Sequence, residues 1–66
     1  MTINVKIVIM SHLSDAQELV NMGLVNSKGV HNHINFAKAL LLNYPNTDTD
    51  VEEKELNELW QKITSK

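Results

Sequence analysis

The three histidines are the side chains of this sequence best suited to chemistry, and they stand at positions 12, 31 and 33. Imidazole binds transition metals and exchanges protons near neutral pH. On a helix, residues two apart point about 200° away from each other, so His31 and His33 do not share an ion. A zinc site needs further ligands, and the chain has no cysteine. We therefore predict no metal site and place His33 at the border of an apolar stripe.

A second candidate is a calcium loop, because oxygen-bearing residues alternate at Asn46, Asp48, Asp50 and Glu52. An EF-hand loop also requires a glycine at its sixth position and a glutamate at its twelfth. Counted from Asn46, those positions hold Val51 and Asn57, and the register that starts at Asp48 fails as well. We interpret the segment as a polar loop that leads into a capped helix.

The sequence offers no convincing nucleophile. Ser11 and Ser14 flank His12, but the members of a catalytic triad converge from separate elements rather than from adjacent positions. Gly23 and Gly29 are the only glycines, so a glycine-rich phosphate loop is absent. We predict a non-catalytic protein with no cofactor. A metal-assisted enzyme that uses the histidines is retained as an alternative.

Length and charge restrict the function further. The 66 residues make a single small domain over 1–66, and disulfides are excluded. Residues 1–45 carry three lysines and two acids, a net charge of +1, whereas 46–66 carry three lysines and six acids, a net charge of −3. With a total charge of −2 and no arginine, nucleic-acid binding is not expected.

The apolar run after Lys6 is too short for a secretion signal or a membrane span, so we predict a cytoplasmic protein that does not contact a membrane. Frequent asparagine, lysine and isoleucine without arginine suit an AT-rich bacterial or phage genome.

Two breaks divide the chain into three periodic segments. In the first, Gly23 can adopt the left-handed conformation that ends a helix, and Asn26 or Ser27 can cap the next one. In the second, Pro45 disfavours helical geometry at the residue before it. Capping-box pairs follow this proline at Asp50 with Glu53 and at Thr49 with Glu52.

Apolar residues at three- and four-residue spacing predict helices over about 29–44 and 50–64. The first segment fits two structures. Over 4–22 its apolar residues form a helical stripe, whereas over 3–10 their alternation and β-branching favour a strand. A strand needs a partner strand, and no second one is evident in the sequence. We therefore prefer the helix.

The predicted fold is all-α: a small three-helix bundle, or a helical hairpin plus a third helix, with helices over 4–22, 29–44 and 50–64. The alternative is an α+β fold in which an N-terminal strand pairs between the subunits of a homodimer. The predicted core consists of apolar residues from all three helices: Val5, Ile9, Leu13, Ala16, Val20, Ile34, Ala37, Leu40, Leu41, Leu56, Leu59, Trp60 and Ile63.

Residues 32–46 resemble the second helix of a tetratricopeptide repeat, since Phe36 and Ala39 have its spacing and Pro45 stands near its closing proline. The segment departs from the repeat at Asn32 and in the late position of the proline. The resemblance implies a helical hairpin that binds proteins. We assign no family from this single motif.

The leading functional hypothesis is a small protein-interaction module, such as an adaptor, an assembly component or a phage-type inhibitor of a host protein. The partner is another protein or a second copy of the chain, with a homo-oligomer expected. Apolar residues outside the stripes, together with the lone tryptophan, are the candidate interface: Ile3, Ile7, Met10, Leu42 and Trp60. The alternative is a dimeric ribbon-helix DNA-binding regulator in which Asn4, Lys6 and Val8 face the major groove.

Overall fold

Three helices and a two-stranded ribbon make up the chain in a computed structural model that describes residues 1–65. The elements follow one another as β1 (Thr2–Asn4), α1 (Val5–Asn21), α2 (Lys28–Asn43), β2 (Asp50–Glu52) and α3 (Glu53–Thr64). The protein is thus mostly helical, with each helix close to its predicted bounds. The strict all-α prediction is wrong because it omits the ribbon.

The first break between helices is built as the sequence predicts. Gly23 has a φ of 87°, and its N–H donates to the Val20 carbonyl at 2.9 Å. The Leu24 N–H donates to the Leu19 carbonyl at 3.0 Å, which completes a Schellman motif. The Ser27 hydroxyl then caps α2 by accepting from the Val30 N–H at 3.3 Å. Short-range signals therefore fix the turn that folds α1 back on α2.

The ribbon changes both predictions for the first segment, the helix over 4–22 and the strand over 3–10. Strands β1 and β2 pair antiparallel, with Ile3 opposite Val51. The predicted strand over 3–10 is wrong because the chain is helical from Val5, where the Asn4 side chain accepts from the Lys6 N–H as an N-cap. The partner strand comes from this chain, not from a second copy. It occupies the residues that we expected to begin the third helix.

The loop before β2 also anchors the start of α1. The Val5 N–H donates to the Thr49 carbonyl at 2.9 Å, and the Lys6 N–H donates to the Thr47 carbonyl at 3.0 Å. These are first-turn donors that a helix leaves without intrahelical partners. Glu52 is the N-cap of α3 and makes no side-chain capping bond, so the predicted capping boxes are wrong. Residues 50–52, which the capping boxes were expected to include, pair with β1 as strand β2 instead.

The core lies where α1, α2 and α3 meet the ribbon. The prediction that Leu13, Ile34 and Leu41 belong to the core is wrong, since these residues are 46%, 37% and 48% exposed. These three residues lie along the edge of the apolar stripes of α1 and α2 that is farther from α3. Helix α3 covers the opposite edge. The buried residues are Val5, Val8, Ile9, Ala16, Val30, Phe36, Ala37, Leu40, Val51 and Leu56. Four further residues of the predicted core are partly buried: Val20, Leu59, Trp60 and Ile63.

Among residues 1–65, no helix combines the length and the apolar character that crossing a lipid bilayer requires.

Candidate functional site

A pair of histidines from different helices stands at the centre of the candidate site. The Nδ1 atoms of His12 on α1 and His33 on α2 are 2.8 Å apart, which is hydrogen-bonding distance. One imidazole must donate and the other accept, so the contact excludes the state in which both rings are protonated. Both side chains are half-buried. The antiparallel packing of α1 on α2 brings these two rings together.

Two aromatic side chains enclose the pair. Phe36 meets His12 edge-on, with ring centroids 4.6 Å apart. Trp60, from α3, lies 5.1 Å from the His12 ring and 5.4 Å from the His33 ring. We call these four side chains, His12, His33, Phe36 and Trp60, the histidine–aromatic cluster. Each of the three helices contributes to it, so the position of the imidazoles depends on the whole fold.

Asp15 adds a carboxylate beside the pair. It stands three residues after His12 on α1, hence on the same side of that helix. One ligand atom from each of His12, Asp15 and His33 lies within 4.8 Å of the other two. Asp15 and His33 also line a surface depression of about 310 Å³, together with Glu18. Asp15 and His33 therefore border a space that is open to solvent, whereas His12 lines a separate cavity.

The surroundings of His12 favour its neutral form. Burial lowers the pKa of His12 below its usual value of 6.5, and the nearby His33 lowers this pKa further. The Asp15 carboxylate opposes both effects by raising the pKa. Burial acts because transfer from water penalises the charged ring. A neutral imidazole is the form that accepts a hydrogen bond or binds a metal ion.

A cavity of about 300 Å³ lies on the other side of the cluster, between β1, α1 and α3. Ile3, His12 and Trp60 contribute to its lining, and Glu53 stands at its edge. Ile3 and Trp60, two of the predicted interface residues, are thus partly buried against the core. The other three, Ile7, Met10 and Leu42, are exposed, and Leu42 is 82% accessible. The structure therefore does not bring the five together on one surface.

Exposed apolar residues also lie on the flank of α1 and α2 that faces away from α3. Val8 and His12 form the row of α1 that faces Trp60, whereas Leu13 lies in the next row, about 100° around the helix. On α2, Phe36 faces Trp60, while Ile34 and Leu41 lie about 140–160° around the helix from Phe36. We call this flank the open hairpin face: Leu13, Ile34 and Leu41, bordered by Met10 and Leu42.

Sequence reasoning missed the combination of His12, Asp15 and His33. It compared His31 with His33, which are close in sequence, whereas the pair that meets is separated by 21 positions. One local signal was present, because a histidine and an acid three residues apart share a helix face. The other half of the site depends on the register between α1 and α2.

Comparison of the chain with protein-family models, with curated proteins and with solved structures finds no match.

Proposed function

We propose that this chain is a non-catalytic protein-binding module that docks a helix of another protein on its open hairpin face. The observation that carries the proposal is the exposure of Leu13, Ile34 and Leu41, which belong to the apolar stripes of α1 and α2 where a helical bundle places its core. No other element of residues 1–65 covers them. Contiguous apolar surface of this kind marks protein contact sites.

The spacing of the apolar residues suits a helix as the occupant. On each helix they alternate at steps of four and three, which is the pattern of a seam that receives a neighbouring helix. An amphipathic helix laid between two such rows buries its own apolar face in their groove. The rows are Ile9, Leu13, Ala16 and Val20 on α1, and Val30, Ile34, Ala37 and Leu41 on α2. Ile9, Ala16, Val30 and Ala37 are buried in the core, so the exposed part of the rows that a partner helix would cover is Leu13, Ile34 and Leu41.

The surface area agrees with a missing contact. The chain exposes 4706 Å², whereas a folded monomer of 7.5 kDa is expected to expose about 4,250 Å².

Charge around the face favours a partner with acidic flanks. Lys6 stands one turn before Met10 on α1, and Lys38 stands one turn after Ile34 on α2, so both lysines border the open hairpin face. The acids of α1 lie elsewhere, because Asp15 and Glu18 line the depression beside His33. An acidic-flanked helix complements these lysines, whereas a second copy of the chain would set lysines against lysines.

Site-specific photo-crosslinking in the native cells tests this proposal. A photoreactive amino acid replaces Leu41 on the open hairpin face, and the matched control places it at Gln61, an exposed position of α3. Mass spectrometry then identifies the attached segment. We expect adducts from position 41, and not from position 61, to a segment with apolar residues at helical spacing flanked by aspartate or glutamate.

A second variant checks that the adduct depends on this face. Leu13→Glu places a charge on the open hairpin face and is expected to abolish crosslinking from position 41, whereas Gln61→Glu adds the same charge elsewhere and leaves the yield unchanged. Circular dichroism establishes that both variants are folded. Adducts only to the chain itself, or equal yields from positions 41 and 61, contradict the proposal.

A further inference from the structure

We propose that His12, Asp15 and His33 form a binding site for a divalent late transition metal ion, with Zn²⁺ as its simplest occupant. The inference stands on the convergence of two imidazoles and one carboxylate from two packed helices, with ligand atoms within 4.8 Å of one another. This property is independent of the open hairpin face, which lies on the other flank of the same helix pair.

The spacing of the imidazoles is close to that required by a shared ion. Nitrogens bound at about 2.0–2.1 Å to a tetrahedral zinc ion are about 3.3 Å apart. The Nδ1 atoms of His12 and His33 are 2.8 Å apart. Binding therefore replaces one hydrogen bond with two coordinate bonds, and the rings separate by about 0.5 Å. Small rotations of two half-buried side chains provide that movement.

The ligand types select the class of metal. Two imidazoles with one carboxylate suit zinc, copper, nickel or cobalt, whereas calcium and magnesium prefer sites made only of oxygen ligands. Asp15 is exposed and can turn towards the pair from its own helical turn. Three protein ligands leave a fourth position for water. The depression of about 310 Å³ beside Asp15 and His33 gives that water room.

The histidine–aromatic cluster orients the His12 imidazole and favours its neutral form in the absence of an ion. Phe36 and Trp60 contact the His12 ring from α2 and α3, so its orientation is set by packing rather than by solvent. Burial and the neighbouring His33 also lower the pKa of His12, which keeps the ring in the neutral form that a metal requires.

Zinc titration of the untagged, chelator-treated chain, in competition with a chromophoric chelator, tests the site. We expect one ion per chain. His12→Gln and His33→Gln are each expected to weaken binding at least about tenfold, and Asp15→Asn is expected to weaken it less. The matched control is His31→Gln, which removes the remaining histidine two residues from His33 and leaves the affinity unchanged. Circular dichroism checks that each variant is folded.

A measurement on the unmodified chain does not depend on how the variants fold. In long-range ¹⁵N–¹H spectra, zinc is expected to shift the Nδ1 resonances of His12 and His33 and to leave those of His31 in place. Co²⁺ is expected to give the visible absorption of a tetrahedral site. Absence of saturable binding, loss of binding in His31→Gln, or one ion shared between two chains overturns the proposal.

Discussion

Leu40 and Leu41 are neighbours on α2, and replacing each with alanine tests the packing on which both proposals rest. The two substitutions remove the same atoms from the same helix. The sequence pattern predicts both leucines in the core, whereas Leu40 is 0% exposed and Leu41 is 48% exposed. The difference between the two costs therefore measures how much of the α2 stripe is covered.

Leu40→Ala removes a side chain that lies fully inside the core, beside Phe36 and Leu56. Loss of transfer free energy and the cavity left behind together cost about 2.7–5 kcal/mol at such sites. A core of this size rarely supplies more than about 3–5 kcal/mol in total. We therefore expect Leu40→Ala to be largely unfolded at 25 °C without a stabilising osmolyte.

Leu41→Ala removes a side chain that is already half in water. Full burial of the three lost carbons contributes about 2.4 kcal/mol, and about half of that is at stake here. Little cavity remains, because the site opens to solvent, and alanine slightly favours the helix. The expected loss is about 1 kcal/mol, so the two substitutions differ by about 2 kcal/mol or more.

Urea denaturation followed by far-ultraviolet circular dichroism and by Trp60 fluorescence measures both losses. If Leu40→Ala is unfolded at the outset, a series in trimethylamine N-oxide recovers its transition. Equal losses, or a larger loss for Leu41→Ala, refute the argument. Such a result means that the open hairpin face is covered in solution, and that the isolated chain has no docking surface.

Three further predictions concern other parts of the fold. The free energy of unfolding, measured by urea titration with a metal chelator present, is expected to fall as the pH drops from about 7.5 to 5. Burial and His33 lower the pKa of His12 in the folded chain below 6.5, with partial opposition from Asp15, so the unfolded chain binds that proton first. Gly23→Ala is expected to cost about 1 kcal/mol in thermal melts because its φ is 87°, and Gly23→Asn less. Val51→Ala is expected to cost about 1.5 kcal/mol and to increase amide exchange in β1.

The helices could be predicted because their signals are local. Apolar spacing identifies each helix, and short-range chemistry at Gly23, Ser27 and Pro45 divides one from the next. The ribbon could not be predicted in this way. Its strands have three residues each, too few to establish a period, and they pair across most of the chain. In β2 a single apolar residue, Val51, stands between two acids, which also resembles the start of a capped helix.

The core was only partly predictable, for a related reason. Periodicity shows which side of a helix is apolar but not how much of that side a neighbour covers. On α1 and α2 the apolar side is wider than α3 can reach, so Leu13 and Leu41 are exposed while Phe36 is buried. The contact between the two histidines also depends on how neighbouring helices pack, which periodicity does not show. His12 meets His33 only because of the register between the two helices.

The two proposed sites follow from the length of α3 and are expected to be separable. A helical hairpin has two flanks, and one helix of 12 residues covers one of them. The covered flank places His12 and His33 against aromatic rings, out of full contact with water, whereas the open flank keeps Leu13 and Leu41 for a partner. The two sites share no side chain. Leu41→Glu should therefore leave zinc affinity unchanged, and His33→Gln should leave crosslinking from position 41 unchanged, whereas loss of both activities in either variant indicates a general failure of the fold.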